Sequence, residues 1–560
     1  MPQVRVAALQ FAVTEDVAEN LATCLRMVDQ AAAGGAEVVV LPEFCNHVSW
    51  YAGREHAREK AVTLDGEFVA ALAERAARHR IHLMANCTLL REDGRVSGSN
   101  ILLGPDGTVL AVSDKQVLMG SERDHIDSAV ERSTVVDTPV GRVGLYSCMD
   151  GVINETPRML AVEGAQLLLN SVNSFALDEA TLHVPVRAVE NKVWVVAGNK
   201  VGPLVPGHSI AAVAERVGVP VERLHGAGEA QVVAPDGTVV AKGPLTGEAV
   251  VLADIDLAAA DDKRRPDGTD VMAARRPEIY GPIAAAPRGR VAPAGAARAQ
   301  AVVVAPAEGE DVAALLAAAV AERPDLVVLP ELAAHDGGTA DAAPAPELSI
   351  EALTALLAGS PTLVVTSVVD GGRHLGVVVG ADGVMLEQPQ LHRSARHAAW
   401  HTDLGDAVAV LDAPFGRLAV LVGDDALYPE AFRLAALQDA DVVAVPFTVA
   451  APHDLDLLLL ERAAENRVNL VAGARRTASG LTGGAVPLSP DFTLWGDGWE
   501  GEFAGVISRP ELVVATESLT RVVLRPECAT NRFVSKGTDL VDGRPWALAA
   551  PLVTPAVAPV

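Results

Sequence analysis

The chain has 560 residues, and 45 basic against 72 acidic side chains give it a formal net charge of −27. Such a length makes two to four domains at roughly 100 to 200 residues each, every one large enough for a real core. The negative charge opposes phosphate backbones and anionic lipid, which excludes nucleic acid and membrane surfaces as expected partners and leaves a small molecule. Half the residues are hydrophobic, but in short runs, none as long as a membrane span. The opening MPQVRVAALQ reads as a strand rather than a signal peptide, so the protein is expected to be cytoplasmic. Cys24, Cys45, Cys87, Cys148 and Cys528 are an odd number without CxxC spacing, which argues against both a disulfide framework and a zinc site.

In chain order, VRVAAL predicts a strand. An amphipathic helix follows from about Asp16 to Ala33 and stops at Gly34-Gly35. AEVVVLP predicts a buried strand, about Gly66 to Arg80 a second helix, and IHLMANCTLL a strand. SNILLG and TVLAVSD form a hairpin-like pair around Pro105-Asp106-Gly107. Strand RVGLYSC, a helix near Thr156 to Glu163, strand AQLLLNS, a helix carrying VRAVEN and strand KVWVVAGN complete the first half. Alternating strands and helices, with strands buried on both faces, predict a layered α/β fold.

The pattern then repeats. DLVVLPEL at 325 resembles EVVVLPEF at 37, PFGRLAVLVGDD resembles PVGRVGLYSCMD, and ERAAENRVNLVAG resembles VRAVENKVWVVAG. The offset is 275 residues both for Cys148 and Gly423 and for Glu190 and Glu465, a register that argues for duplication. We expect one domain at 1 to 283, an Ala/Pro/Gly-rich linker at 284 to 298, and a second domain at 299 to 560.

Three strands of the first copy end in a reactive side chain: VVVLPE at Glu43, VLAVSDK at Lys115 and GLYSC at Cys148. Sites collect at the carboxyl ends of parallel strands, and a carboxylate, an ammonium and a thiol together suit acyl transfer. The carboxylate takes the thiol proton, the thiolate attacks a carbonyl, and the ammonium with a backbone N–H stabilises the oxyanion.

The motifs LPEF, SDKQVLMGSE and YSCMD together resemble the Glu-Lys-Cys signature of the nitrilase, or carbon-nitrogen hydrolase, superfamily. VRAVEN at 186 and RRPEIYG at 275 extend the resemblance over nearly all of residues 4 to 282. It implies an α-β-β-α sandwich, and hence two tandem sandwiches here. It also implies no metal or cofactor, a thioester on Cys148, and a second acidic residue seven after the lysine, where Glu122 stands to support Lys115. The N–H of Met149 would face the substrate oxygen at a helix start. Nitrile-cleaving members carry Trp-Glu after the cysteine. Met149-Asp150 therefore implies hydrolysis of a small amide or N-carbamoyl compound with release of ammonia or amine. Nitrile hydrolysis, acyl transfer to an amine, and a non-catalytic binding or regulatory role are the alternatives.

The second copy has Gly423 in place of the nucleophile, Gln390 or Leu391 near the lysine position, and Glu331 surviving in LPEL. It reads as catalytically silent. The family's usual dimers imply that it supplies a second subunit's packing surface, an intrachain pseudo-dimer open to further homo-oligomerisation. Arg187, Glu190 and Asn191 persist there as Arg462, Glu465 and Asn466, which points to an ion-pair role rather than catalysis.

Expected substrate-binding residues are Trp50 and Tyr51, from the loop CNHVSWY at the pocket mouth, together with Asn173, Ser174 and Met149. Cys45 in that loop is a competing thiol. Asp178, Glu179 and His183 either meet a substrate amine or form an ordinary acidic helix start. His397 and His401 have helical i, i+4 spacing, but no acidic or cysteine ligand is near them in sequence, so no metal site is assigned. HGAGE at 225 to 229 reads as a turn, because no P-loop lysine follows.

Overall fold

Asp16 opens the helix Val17–Ala33 by accepting from the N–H groups of Ala18 and Glu19, and Cys24, Met27, Val28 and Ala31 bury one of its faces. The strand Val38–Val40 is buried at every position because it runs parallel between Val4–Phe11 and His82–Leu90. The computed structural model describes residues 3–494, 499 and 501–555.

Two sheets build the first half. One runs Val109–Asp114, Val96–Leu103, His82–Leu90, Val38–Val40, Val4–Phe11, with Ala249–Ile255 antiparallel at its edge. The other runs Val136–Thr138, Gly141–Ser147, Leu167–Ser171, Trp194–Pro203, Gln231–Val233, Val239–Lys242. They meet at a short parallel seam where Gln10 pairs with Asn199 and Phe11 with Lys200. Val6, Ala8 and Val38 of the first sheet interlock with Leu145, Leu167 and Val196 of the second. Helices Val17–Ala33 and Glu67–His79 cover one outer face, and Glu155–Val162 and Val184–Asn191 the other. This is an α-β-β-α sandwich.

The second half repeats the plan. Its sheets run Gly383–Pro389, Arg373–Gly380, Leu363–Asp370, Leu326–Val328, Ala299–Val304, Leu519–Leu524 and Val410–Ala413, Gly416–Val420, Val442–Pro446, Asn469–Gly473, Gly484–Val486, Val513–Val514. Two features depart from the sequence reading. Residues 284–298 are held along the second half: Arg288 bonds Asp439 at 3.1 Å and Arg290 bonds Asp441 at 2.7 Å. A helix at Ile210–Val217, ended by left-handed Gly218, closes a small satellite core with Leu224. No helix among the described residues is long and apolar enough to cross a membrane.

The halves meet helix against helix. Met159, Leu182, Val186 and Val189 share one apolar cluster with Phe432, Leu459, Leu460 and Ala463. Within it Arg158 Nε bonds Glu430 at 2.9 Å, and Arg433 Nε bonds Glu155 at 2.8 Å. The two pairs exchange partners across the 275-residue offset. Arg187 reaches Glu465 at 2.7 Å and also bonds Glu461, while Arg462 bonds Glu190. This is the self-complementary pattern of an isologous contact, here within one chain. Burial opposes the charge on Glu430, but Arg158 and Arg275 outweigh it and hold the carboxyl well below the usual range.

Stranding one member of a buried pair leaves its partner's charge uncompensated. Glu430→Ala strands both Arg158 and Arg275, and should cost about 3–5 kcal/mol in urea unfolding. Asp254→Ala, which removes an exposed pair with Arg5, should move the midpoint far less. Because the Glu430 pKa is depressed on folding, its contribution is complete above the ordinary carboxylate range and disappears only as pH falls through the lowered value.

Candidate active site

Glu43 stands just past Val38–Val40, Lys115 directly follows Val109–Asp114, and Cys148 directly follows Gly141–Ser147. The first strand runs parallel to Val4–Phe11 and the last to Leu167–Ser171, and two antiparallel steps return Val109–Asp114 to the direction of His82–Leu90. Their carboxyl ends therefore open on one edge. Cys148 has φ 47° and ψ −109°, a sparsely populated conformation for a side chain with a Cβ. The turn is held from several sides. Asn170 Oδ1 accepts from Cys148 N–H at 3.1 Å. Asp150 Oδ1 accepts from Gln116 and Val117 at 3.0 and 2.7 Å, which ties the lysine loop to the cysteine loop. Arg187 donates to Gly151 O at 2.7 Å and thereby joins the turn to the interface between halves.

Glu43 and Lys115 are fully buried. Lys115 Nζ lies 2.9 Å from Glu43 Oε1 and 2.9 Å from Glu122, whose other bond is to Met119 N–H at 2.7 Å. Lys115 meets Glu43 at Oε1, and Oε2, which has no partner among the described residues, is left open to a proton. Burial opposes the Lys115 charge, but Glu122 and Glu43 prevail and keep it an ammonium. Burial lifts Glu43 to about 7 against the pull of Lys115. Burial and the charge of Glu43 push the Cys148 thiol well up, with Lys115 opposing, so at rest the sulfur keeps its proton.

Cys148 opens on a cavity of about 70 Å³. Met149, Asn173, Ser174, Asp178 and Glu179 line it from the first half, and Ile507, Ser508 and Val534 close it from the second. Sequence reasoning had no signal for those three closing residues, which are brought in by contacts across more than 300 positions. Glu179 Oε1 lies 3.9 Å from Cys148 Sγ. Lys200 was also missed; it is buried, and its ammonium lies 5.9 Å from the centre of the Phe44 ring, which Lys115 approaches to 5.6 Å.

Other expectations find different places. Trp50 is largely solvent-facing. Tyr51 packs behind Phe44 and bonds Thr88, so neither aromatic lines the cavity. Their loop is drawn inward by the buried amide of Asn46, which leaves Cys45 in the core 3.7 Å from Cys87 rather than at a pocket mouth. Asn173 and Ser174 do line the cavity, Asn173 donating to Ser49 at 2.8 Å.

At the matching place in the second half, Asp425 accepts from Leu391 and His392 just as Asp150 accepts from Gln116 and Val117, which assigns Gln390 to the position of Lys115. Gly423 keeps the positive φ, 51°, but a Cβ there would lie 2.1 Å from Glu331 Oε1. Arg396 bonds Glu331 at 2.8 Å and Asp424 at 2.7 Å. Folding brings Glu331 and His374 to His397, the acidic neighbour that sequence spacing did not reveal, with ligand atoms within 4.8 Å. The set does not suit a metal ion. Arg396 already supplies the cation to Glu331, and both His374 nitrogens are engaged, with Gln390 and Ser367.

The carbon-nitrogen hydrolase family profile matches residues 5–265. Omega-amidase NIT2 of Danio rerio is 28% identical over 292 residues, covering 50% of this chain and 97% of that protein. A nitrilase of Pyrococcus abyssi is 28% identical over 264 residues, covering 47% of this chain and 93% of that protein. Residues 5–265 form a domain of the carbon-nitrogen hydrolase, or nitrilase, superfamily. The protein is an enzyme of the carbon-nitrogen hydrolase type. Among solved structures, an amidase from Nesterenkonia sp. aligns with TM-score 0.38 and 22% identity, over 47% of this chain and 94% of that one.

A base must be ionised to accept a proton. If Glu43 fills that role, kcat/KM should be level above about 7 and fall towards tenfold per unit below it, and the fall should disappear in Glu43→Gln, whose residual rate is pH-flat. In the second half Gly423→Ala should cost on the order of 1–3 kcal/mol in thermal unfolding, because the added methyl displaces a carboxylate that Arg396 holds.

Proposed function

We propose that this carbon-nitrogen hydrolase cleaves a small amide or N-carbamoyl compound through a thioester on Cys148, with Glu43 as general base and Lys115 as oxyanion partner. The observation that carries this reading is the Lys115 ammonium held 2.9 Å from two carboxylates beside a thiol on a strained turn.

Glu43 takes the Cys148 proton as the sulfur attacks the carbonyl carbon, and negative charge passes to the carbonyl oxygen beside Lys115 and the Met149 N–H. The C–N bond then breaks, Glu43 returns its proton to the departing nitrogen, and the acyl group remains on sulfur. Water attacks the thioester and gives a proton to Glu43, and the S–C bond breaks. The acid leaves, and Cys148 recovers its proton. Glu122 acts through its bond to the Lys115 ammonium, so it is a positioning residue.

In this reading the second sandwich is catalytically silent and stands in for a dimer partner. Support comes from Gly423, Gln390 and the reciprocal ion pairs between halves. Incubation with small amides, N-carbamoyl compounds and nitriles should give ammonia, together with an acyl mass on the protein. Both should vanish in Cys148→Ala, and Lys115→Ala should lose about 10²–10³ in kcat. Ammonia release that survives Cys148→Ala would sink the thioester.

A further inference from the structure

The buried polar atoms without a hydrogen-bond partner on the lining residues of the Cys148 cavity are of one kind. Asn173 Oδ1, Asp178 Oδ1 and Glu179 Oε2 are buried oxygens without a hydrogen-bond partner, on three of its lining residues. Buried acceptors in that condition cost free energy until a donor arrives. The one cationic lining group, His183, is committed: Nδ1 meets Glu461 at 2.9 Å and Nε2 meets Ser508 Oγ at 2.7 Å. Lys115 is committed likewise, between Glu43 and Glu122. A substrate carboxylate would find no free cation among the lining residues and two acids instead.

The acids are built in rather than incidental. Asp178 Oδ2 accepts from Ile507 and Ser508 N–H and from Ser508 Oγ, at 3.1, 2.7 and 2.9 Å, which fixes the start of the short helical turn Glu179–His183. Glu179 is thereby aimed into the cavity, with its Oε1 3.9 Å from the nucleophile. Size adds a second limit. At about 10–15 Å³ of cavity space for each water, 70 Å³ holds on the order of five waters, room for a small molecule beside the sulfur.

We infer that the cavity binds a very small amide whose acyl side carries a protonated amine, with Glu179 as the carboxylate that recognises it and with Ile507 and Val534 of the second half setting the size limit. Burial lifts the Glu179 carboxyl to about 7 against the pull of His183, with Asp178 and Glu461 adding to the rise, and an ammonium seated against it would favour its charged form. The inference rests on the hydrolase reading above and adds the substrate class to it.

Three amides separate the possibilities: glycinamide carries a cation, propionamide is its neutral isostere with the same number of heavy atoms, and malonamate, two heavy atoms larger, carries an anion. With the purified full chain, kcat/KM from ammonia release should favour glycinamide over propionamide at least tenfold and should be lowest for malonamate. In Glu179→Gln the glycinamide-to-propionamide ratio should collapse towards one, and in Glu179→Asp, which keeps the charge, it should stay above one. Using a ratio removes any general loss of activity or folding from the readout. Propionamide or malonamate matching glycinamide, or an unchanged ratio in Glu179→Gln, would overturn the inference. If none of the three is hydrolysed, hydrolysis of this class fails and recognition is read from protection of Cys148 against iodoacetamide. Stronger protection by glycinamide than by propionamide, lost in Glu179→Gln, upholds it, and equal protection or none rejects it.

Discussion

The rest of the structure depends on a set of buried arginines that pair across the two halves of the chain. Arg158, Arg187, Arg433 and Arg462 are fully buried, and each takes a carboxylate from the opposite half. Desolvating such charges is unfavourable unless geometry and additional bonds compensate it, so the exposed helices of either half alone would leave unmatched acids and bases on an otherwise apolar face. Arg187 carries the constraint to the chemistry, because its guanidinium also holds Gly151 O three residues beyond the nucleophile. Association of the halves and placement of the Cys148 turn are in this sense one packing problem.

The two sandwiches show how scaffold and chemistry separate. Both keep the positive φ at the end of the equivalent strand, and both use an aspartate, Asp150 or Asp425, to clasp the neighbouring loop. The first half places a cysteine in that strained turn and a lysine beside it. In the second half a glycine adopts the same backbone without a Cβ, the vacated volume is taken by Glu331, and Arg396 neutralises that carboxylate. The second half, with no cysteine at that turn, thus holds a different hydrogen-bond network rather than an empty copy of the site.

The cavity belongs to both halves. The loop that carries Asp178 and Glu179 comes from the first, but its conformation is pinned by backbone N–H groups at 507 and 508, and Gly505 O accepts from Leu177 N–H at 2.8 Å. The second sandwich therefore has two physical roles, as the counter-surface for buried charge and as a wall of the small acidic space in front of Cys148.

Sequence alone determined the local and periodic parts of this protein. Alternating strands and helices, the 275-residue register, and the strand-ending Glu43, Lys115 and Cys148 are set by short-range patterning that any neighbourhood in the chain must obey. The helix from about Asp16 to Ala33, with its stop at Gly34-Gly35, was legible for the same reason. Tertiary structure decided whatever depends on which side chains meet. Trp50 and Tyr51 looked like pocket residues, but the buried amide of Asn46 turns their loop inward. His397 stood without an acidic neighbour until folding brought Glu331 across 66 positions of chain. Arg187 and Glu190 read as a local pair, yet each also answers a residue of the other half. Burial creates these long-range pairings, because a desolvated charge or amide must find a partner wherever the fold supplies one, and sequence spacing does not encode that distance.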